Sequence, residues 1–175
     1  SIKTIRKEHI NLFTNKFNKI FKTLSQSTIK ASIEYISNFE NKKGIKQYEN
    51  DFKNDFYSNK TSFGTHNDDY IFKMDNELIK KFGSQGQQKL FIISLKIAEF
   101  FMLKFFSKKN PIILLDDVFD KLDDKRINLL LKYFDSNKFS QIFITDSLHS
   151  RIEKIKTIKK KIKIINIKNG EINEE

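Results

Sequence analysis

Residues 112–117 read Ile112-Ile113-Leu114-Leu115-Asp116-Asp117. A run of aliphatics this short, with no polar alternation, predicts a central strand of a parallel sheet covered on both faces. The two acids fall at the carboxyl end of that strand, the edge at which α/β proteins bind ligands. One carboxylate there can hold Mg²⁺ opposite nucleotide phosphates, and a second can orient or deprotonate an attacking water. Taken alone the pattern is common, and a structural loop or helix cap explains it equally well.

The flanking segments supply the layers of such a sheet. Upstream, Lys89–Phe106 predicts a long helix, apolar on most sides, with the polar loop Ser84-Gln85-Gly86-Gln87-Gln88 at its start. Free N–H groups and the dipole at a helix N-terminus attract anions, Ser84 adds a hydroxyl, and Gly86 lets backbone approach closely. An ordinary Ser cap followed by solvated Gln residues is the competing reading. Downstream, Asp123–Phe134 predicts an amphipathic helix capped by Asp123. Gln141–Thr145 predicts a second buried strand, and Lys161–Ile167 a last strand ended by Asn169-Gly170.

Strand and helix alternate in a way that predicts an α/β fold with one parallel sheet across about residues 63–168. Before it, helical spacing runs over Ile2–Leu24 and strand alternation over Ser27–Ser37. Asn41–Gly44 breaks the pattern, and a polar helix is expected over Ile45–Tyr57. A hairpin is expected from Tyr70–Met74 and Glu77–Phe82, turning at Asp75-Asn76. Residues 1–60 are therefore expected to form a helical and β arm, and 61–175 the parallel-sheet lobe.

Spacing turns weak motifs into a constellation. The Ser84–Gln88 loop, one helix, the Asp116-Asp117 strand, the turn Asp120-Lys121-Leu122-Asp123 and the strand end Thr145-Asp146-Ser147 follow one another. That is the order of signature loop, Walker-B strand, D-loop and switch in an ABC-type ATPase head. Three stretches sharpen the likeness: Gly64-Thr65-His66-Asn67-Asp68-Asp69, Phe82-Gly83-Ser84-Gln85-Gly86-Gln87-Gln88-Lys89, and Leu114-Leu115-Asp116-Asp117-Val118-Phe119-Asp120-Lys121-Leu122-Asp123. They resemble the RecF family, in which the stretches read much like G-P-H-R-D-D, F-G-S-Q-G-Q-Q-R and L-L-D-D-V-x-S-E-L-D. The resemblance is strong over 63–147 and loose over the arm.

The resemblance implies the C-terminal lobe of an ABC-type head, with ATP and Mg²⁺ as cofactors. Asp116 would hold Mg²⁺, and Asp117 would stand where the catalytic Glu usually is, its shorter side chain suited to slow turnover. Ser84, Gln85, Gly86 and Gln87 would meet the γ-phosphate of ATP held by another protomer. Asp123 would be the D-loop acid across the dimer interface, and Thr145 would hold the switch position. Thr65, Asn67, Asp120, Lys121 and Asp146 depart from the family pattern, which bears on the D-loop and switch assignments.

A P-loop, G-x-x-x-x-G-K-[ST], is missing: none of the five glycines (Gly44, Gly64, Gly83, Gly86, Gly170) is followed by Lys-Ser/Thr at that spacing. In the family that loop lies nearer the N-terminus. The chain, which begins with Ser, reads as part of a longer protein and is expected to hydrolyse no ATP alone.

The implied function is ATP-dependent DNA binding in recombinational repair, replication-fork restart and the SOS response. A homodimer would form on ATP and bind duplex DNA or single-strand/duplex junctions with RecR and RecO as partners, as a weak DNA-dependent ATPase in the cytoplasm. Two rivals remain: another ABC head such as an SMC-like one, which a long heptad coiled coil before residue 60 would mark, and a non-catalytic half that only binds DNA or a partner.

Composition constrains without deciding. The formal charge is +11, from 33 Lys+Arg against 22 Asp+Glu, which fits a polyanion partner. Only Arg6, Arg126 and Arg151 are arginines, however, and the abundance of Lys, Asn, Ile and Phe also fits A/T-rich coding. Cysteine is absent, which excludes disulfides and thiolate metal sites. Lys96, Glu99 and Lys104 interrupt the greasiest stretch, Leu90–Phe106, so no membrane span is expected. His66, beside Asp68 and Asp69, reads as a turn residue rather than a metal ligand, and His9 and His149 have no partners at ligand spacing. The basic run Lys154–Lys163 can touch DNA phosphates, although Ile158, Ile162 and Ile164 alternate as in a strand with a solvated face.

Overall fold

Helix α1 (Ile2–Ser25) lies along helix α4 (Gln85–Ser107), and the pair organises the core. The computed structural model describes residues 2–37, 45–61, 64–136, 138–147, 151, 155 and 162–174. The two helices run antiparallel. His9 stacks on Phe106 at 5.8 Å, Lys16 sits 4.6 Å above the Phe101 ring, and Phe17 meets Phe91 at 4.7 Å. Phe91 also touches Phe21 and, edge-on at 5.8 Å, Phe72 of strand β2 (Asp69–Met74). Aromatic packing around one ring thus joins α1, α4 and β2. Truncating Phe91 to Ala should cost about 3–5 kcal/mol, since the ring is fully enclosed.

Strand β1 (Ala31–Ile36) pairs antiparallel with β2, from Ala31 opposite Met74 to Ile36 opposite Asp69. Packing therefore crosses residue 60, the expected boundary between arm and lobe. Helix α2 (Ile45–Ser58) occupies the intervening sequence, as its polar periodicity predicts. The hairpin turns at Asp75 and Asn76, both at positive φ (47° and 70°), a pair that Asp and Asn tolerate better than most residues. The second arm of the hairpin is shorter than expected. Strand β3 (Glu77–Leu78) has only 2 residues, and Ile79–Phe82 winds into one helical turn, α3, whose carbonyl at Ile79 accepts from Gly83 N–H. Burial of Ile79 under the sheet draws the chain inward there.

The parallel layer is β4 (Ile112–Leu115) beside β5 (Gln141–Ile144), with α5 (Asp124–Phe134) in the crossover. A single parallel sheet spanning 63–168 does not form: β2 belongs to the antiparallel sheet with β1 and β3. Strand β6 (Ile165–Lys168) folds back on β7 (Glu171–Glu174) through Asn169 and Gly170, both at positive φ. The expected last strand begins at Ile165 rather than Lys161 within the described residues.

Coverage of the parallel strands also differs from expectation. Ile113 and Leu115 are buried, but Ile112 (55% exposed), Leu114 (71%) and Phe143 (48%) are open on the opposite face. Among the described residues, one face of these two strands is buried and the other is open. Among the described residues, no helix is long and apolar enough to cross a membrane. Asn41–Gly44, His149 and most of Lys154–Lys163 lie outside the described residues.

Candidate nucleotide site

The Ser84–Gln88 segment belongs to the helix and is not a loop before it. Helix α4 starts at Gln85, four residues before the expected Lys89, because Ser84 caps it. Ser84 Oγ accepts from Gln87 N–H at 3.3 Å, and Gln87 Oε1 accepts from Ser84 N–H at 2.8 Å, a reciprocal capping box. Ser84 and Gln85 remain exposed, and Gly86 is buried. A Cβ on Gly86 would meet the Lys121 carbonyl oxygen at 2.9 Å and Arg126 Nη1 at 3.1 Å. Gly86 thus admits protein against the helix start, a role that sequence reasoning gave to phosphate alone.

What lies against Gly86 is the turn between β4 and α5. Lys121 adopts φ 61° there, and Asp123 caps α5, its Oδ1 accepting from Arg126 N–H at 2.8 Å. Asp123 Oδ2 pairs with Arg126 Nη1 at 2.9 Å. The signature-type helix start and the D-loop-type turn are therefore in direct contact.

A second group gathers at the ends of β4 and β5. Thr145 N–H extends the ladder to the Leu115 carbonyl at 3.0 Å. Its hydroxyl donates to Asp116 Oδ1 and accepts from Asp117 N–H at 2.9 Å. Asp117 itself has φ 46°, a left-handed conformation that costs a non-glycine residue about 1–2 kcal/mol. Full burial of the next two residues, Val118 and Phe119, anchors the chain on the far side of that strained residue. The result is a pair of carboxylate-bearing residues fixed at the sheet edge.

Asp116, Asp117, Thr145, Asp146 and Ser147 line an open cleft of about 350 Å³. The Asp146 side chain is almost fully enclosed and is neutralised by Arg151 at 3.0 Å. Among the described residues, Asp116 and Asp117 form no ion pair, so the cleft presents two carboxylates without a protein cation. Such a donor set fits Mg²⁺, which is usually held by one or two carboxylates together with nucleotide phosphates and water. No cluster of three or more metal-ligating residues occurs among the described residues, so the chain offers only part of a coordination shell. No hydrogen bond among the described residues links Ser84 or Gln87 to Asp116, Asp117 or Thr145. The sequence-derived residues thus fall into two groups, one at the α4 start and one at the strand ends.

The Gly64–Asp69 stretch forms a turn that leads into β2. His66 Nε2 and the Thr61 hydroxyl are hydrogen-bonded at 2.8 Å, and Asn67 Nδ2 donates to the Thr61 carbonyl at 2.7 Å. Asp68 is enclosed by groups that sequence reasoning missed. Tyr35 OH and Arg6 Nη1 both donate to its Oδ2, and Arg6 also donates to the Thr65 carbonyl. The hydrogen bond from Tyr35, then those from Ser37 and Arg6, hold the Asp68 carboxyl below the usual carboxylate range, against the opposing effect of burial. One compositional signal marks these partners. Arginine is scarce in this lysine-rich chain, and Arg6, Arg126 and Arg151 each pair with an aspartate at one of the motif turns.

Comparison with known proteins follows the same line. No model of a protein family matches the chain. The chain is 39% identical over 163 residues to the DNA replication and repair protein RecF of Flavobacterium johnsoniae, covering 93% of the chain and 45% of that protein. It is 37% identical over 146 residues to the RecF of Cytophaga hutchinsonii, covering 83% and 39%. Among solved structures, the recombination mediator protein RecF with ATP superposes with a TM-score of 0.72 at 21% identity, over 99% of this chain and 46% of that one. An SMC ATPase structure reaches 0.56 at 19% identity, over 98% and 86%. These structural likenesses establish the ATPase-head fold. The chain spans slightly under half the length of the relatives it matches, and over that length it belongs to the RecF family.

Proposed function

We propose that the chain is one half of an ATP-driven DNA clamp that acts in DNA repair and replication. The observation that carries this reading is the separation of the site into two exposed groups. Asp116, Asp117 and Thr145 form one at the sheet edge, and Ser84 with Asp123 forms the other at the start of α4. Neither group is a nucleotide site alone. A split arrangement works when each protomer's acidic edge faces ATP in its own head and its Ser84 helix caps the γ-phosphate of ATP in the other head.

In that arrangement Asp116 would hold Mg²⁺, and Asp117 would orient or deprotonate the attacking water. Thr145 ties the two together: it hydrogen-bonds the Asp116 carboxylate and the Asp117 backbone, so movement at one is felt at the other. The α4 N-terminus and the Ser84 hydroxyl would stabilise phosphate charge across the interface. Phosphate binding itself must come from a P-loop that these residues do not contain. The bare face carrying Ile112, Leu114 and Phe143 is the surface on which further sheet would pack. ATP would then act as the adhesive of a homodimer, with DNA held across the joined heads. RecR and RecO are the partners that the family resemblance implies, and single-strand/duplex junctions the DNA form.

The test uses the full-length protein in sedimentation experiments. Ser84→Arg is expected to abolish ATP-induced dimerisation and to leave ATP binding by the monomer intact. A dimer that persists in this variant overturns the reading. The purified chain 1–175 is expected to show no ATP hydrolysis. A rate that disappears in Asp117→Asn would contradict that.

A further inference from the structure

Arg126 lies in the seam between the two elements assigned to the trans side of the site. Its Nη1 is 2.9 Å from Asp123 Oδ2, and its backbone N–H is 2.8 Å from Asp123 Oδ1. One residue therefore grips both oxygens of the D-loop acid. The same Nη1 lies 3.1 Å from the position a Gly86 Cβ would take, beside the Lys121 carbonyl at 2.9 Å. Its guanidinium thus sits directly on the first turn of α4, in space that exists because residue 86 has no side chain.

Folding energy does not explain this placement. The Arg126 side chain is 31% exposed and that of Asp123 is 55% exposed, and ion pairs so open to water contribute little to stability. Geometry explains it better. A lysine would supply the same charge, but the guanidinium is a rigid planar group with several N–H donors, so it keeps its orientation while Nη1 meets both Asp123 Oδ2 and the Gly86 turn. The chain is otherwise strongly biased to lysine, with Arg126 one of only three arginines.

We propose that Arg126 is a positioning residue that locks Asp123 to the start of the signature helix, so that Ser84 and Asp123 meet the partner protomer as one rigid element. The proposal rests on the reading that both act in trans. Without Arg126, Asp123 keeps its helix-cap bond but can swing about it, and the Gly86 turn loses the group packed on it. The two contacts to the partner protomer would then have to be ordered separately on each encounter.

The experiment measures ATP-induced dimerisation, monomer ATP affinity and thermal melting of the full-length protein, with Ser84→Arg alongside. Arg126→Ala is expected to weaken dimerisation on the order of tenfold, the size of coupling between residues in contact. Monomer ATP affinity and melting should stay at the wild-type values. Arg126→Lys should recover part of the loss, because it restores charge but not the rigid planar group. Asp123→Asn combined with Arg126→Ala should lose less than the sum of the two single losses, since both break the same link. Wild-type dimerisation in Arg126→Ala, where Ser84→Arg blocks it, overturns the positioning role, and so do fully additive effects or a dimerisation loss that merely tracks a lowered melting point. If Ser84→Arg itself dimerises normally, the trans reading fails and takes the role of Arg126 with it.

Discussion

The Thr145 hydroxyl, at the end of β5, donates to Asp116 Oδ1 at the end of β4. It also accepts the backbone N–H of Asp117 at 2.9 Å. One small side chain therefore joins the two acids at the sheet edge and does so from the neighbouring strand. The bond depends on the parallel register that sets Leu115 beside Ile144.

Thr145→Val keeps the shape and removes both hydrogen bonds. Hydrogen bonds to charged groups are worth about 1.5–3 kcal/mol. In the full-length protein, the kcat of the proposed ATP hydrolysis should fall roughly 10–100-fold with a smaller change in KM, and Thr145→Ser should recover most of the rate. Melting should change little, because the site is exposed. Steady-state kinetics decide the matter: an unchanged kcat in Thr145→Val would remove Thr145 from the working site.

Gly86→Ala sets two effects against each other. Alanine is the better helix former by about 1 kcal/mol. The added Cβ would meet the Lys121 carbonyl oxygen at 2.9 Å, and backbone cannot swing aside as a flexible side chain can. Overpacking of this kind costs about 1–3 kcal/mol. The variant should melt at a lower temperature and lose ATP-induced dimerisation, as the D-loop is pushed off the helix. A melting point at or above wild type would show that the seam is looser than these distances indicate.

Asp68 predicts a pH dependence. Its folded carboxyl is held below the ordinary range by Tyr35, Ser37 and Arg6. The folded form therefore favours the carboxylate, and the resulting stability is fully present above about pH 3.9, the usual aspartate value. That stability is lost as pH falls through the depressed folded value. Asp68→Asn should lower the melting temperature at neutral pH and flatten its fall on the acid side. Parallel acid profiles for the two proteins would contradict the assignment.

The sequence made the motifs legible and left their packing obscure. Ile112–Leu115 followed by acids, and the Asp123 cap on α5, could be read because strand length, aliphatic runs and cap chemistry are local properties. The start of α4 was misplaced because Gln85–Gln88 is polar, so periodicity could not show that Ser84 had already capped the helix. Coverage of β4 was overestimated because an apolar strand reads the same whether its second face is covered by this chain or by other residues. Of the three arginine–aspartate pairs, Arg6 with Asp68 joins residues far apart in sequence and no local pattern announces it, whereas Arg126 lies three residues from Asp123 and Arg151 five from Asp146. Only the scarcity of arginine in a lysine-rich chain pointed their way.

The central claim is that Ser84 completes a nucleotide site belonging to another protomer. A mixing experiment tests it most directly. Full-length Ser84→Arg and Asp117→Asn proteins are each expected to be inactive as ATPases. In a mixed dimer, the Ser84→Arg protomer keeps its own Asp117 and receives an intact Ser84 from its partner. ATP hydrolysis should therefore reappear on mixing. If Ser84 and Asp117 act within one protomer, every site in the mixture stays broken, and a mixture as silent as its two components would contradict the account.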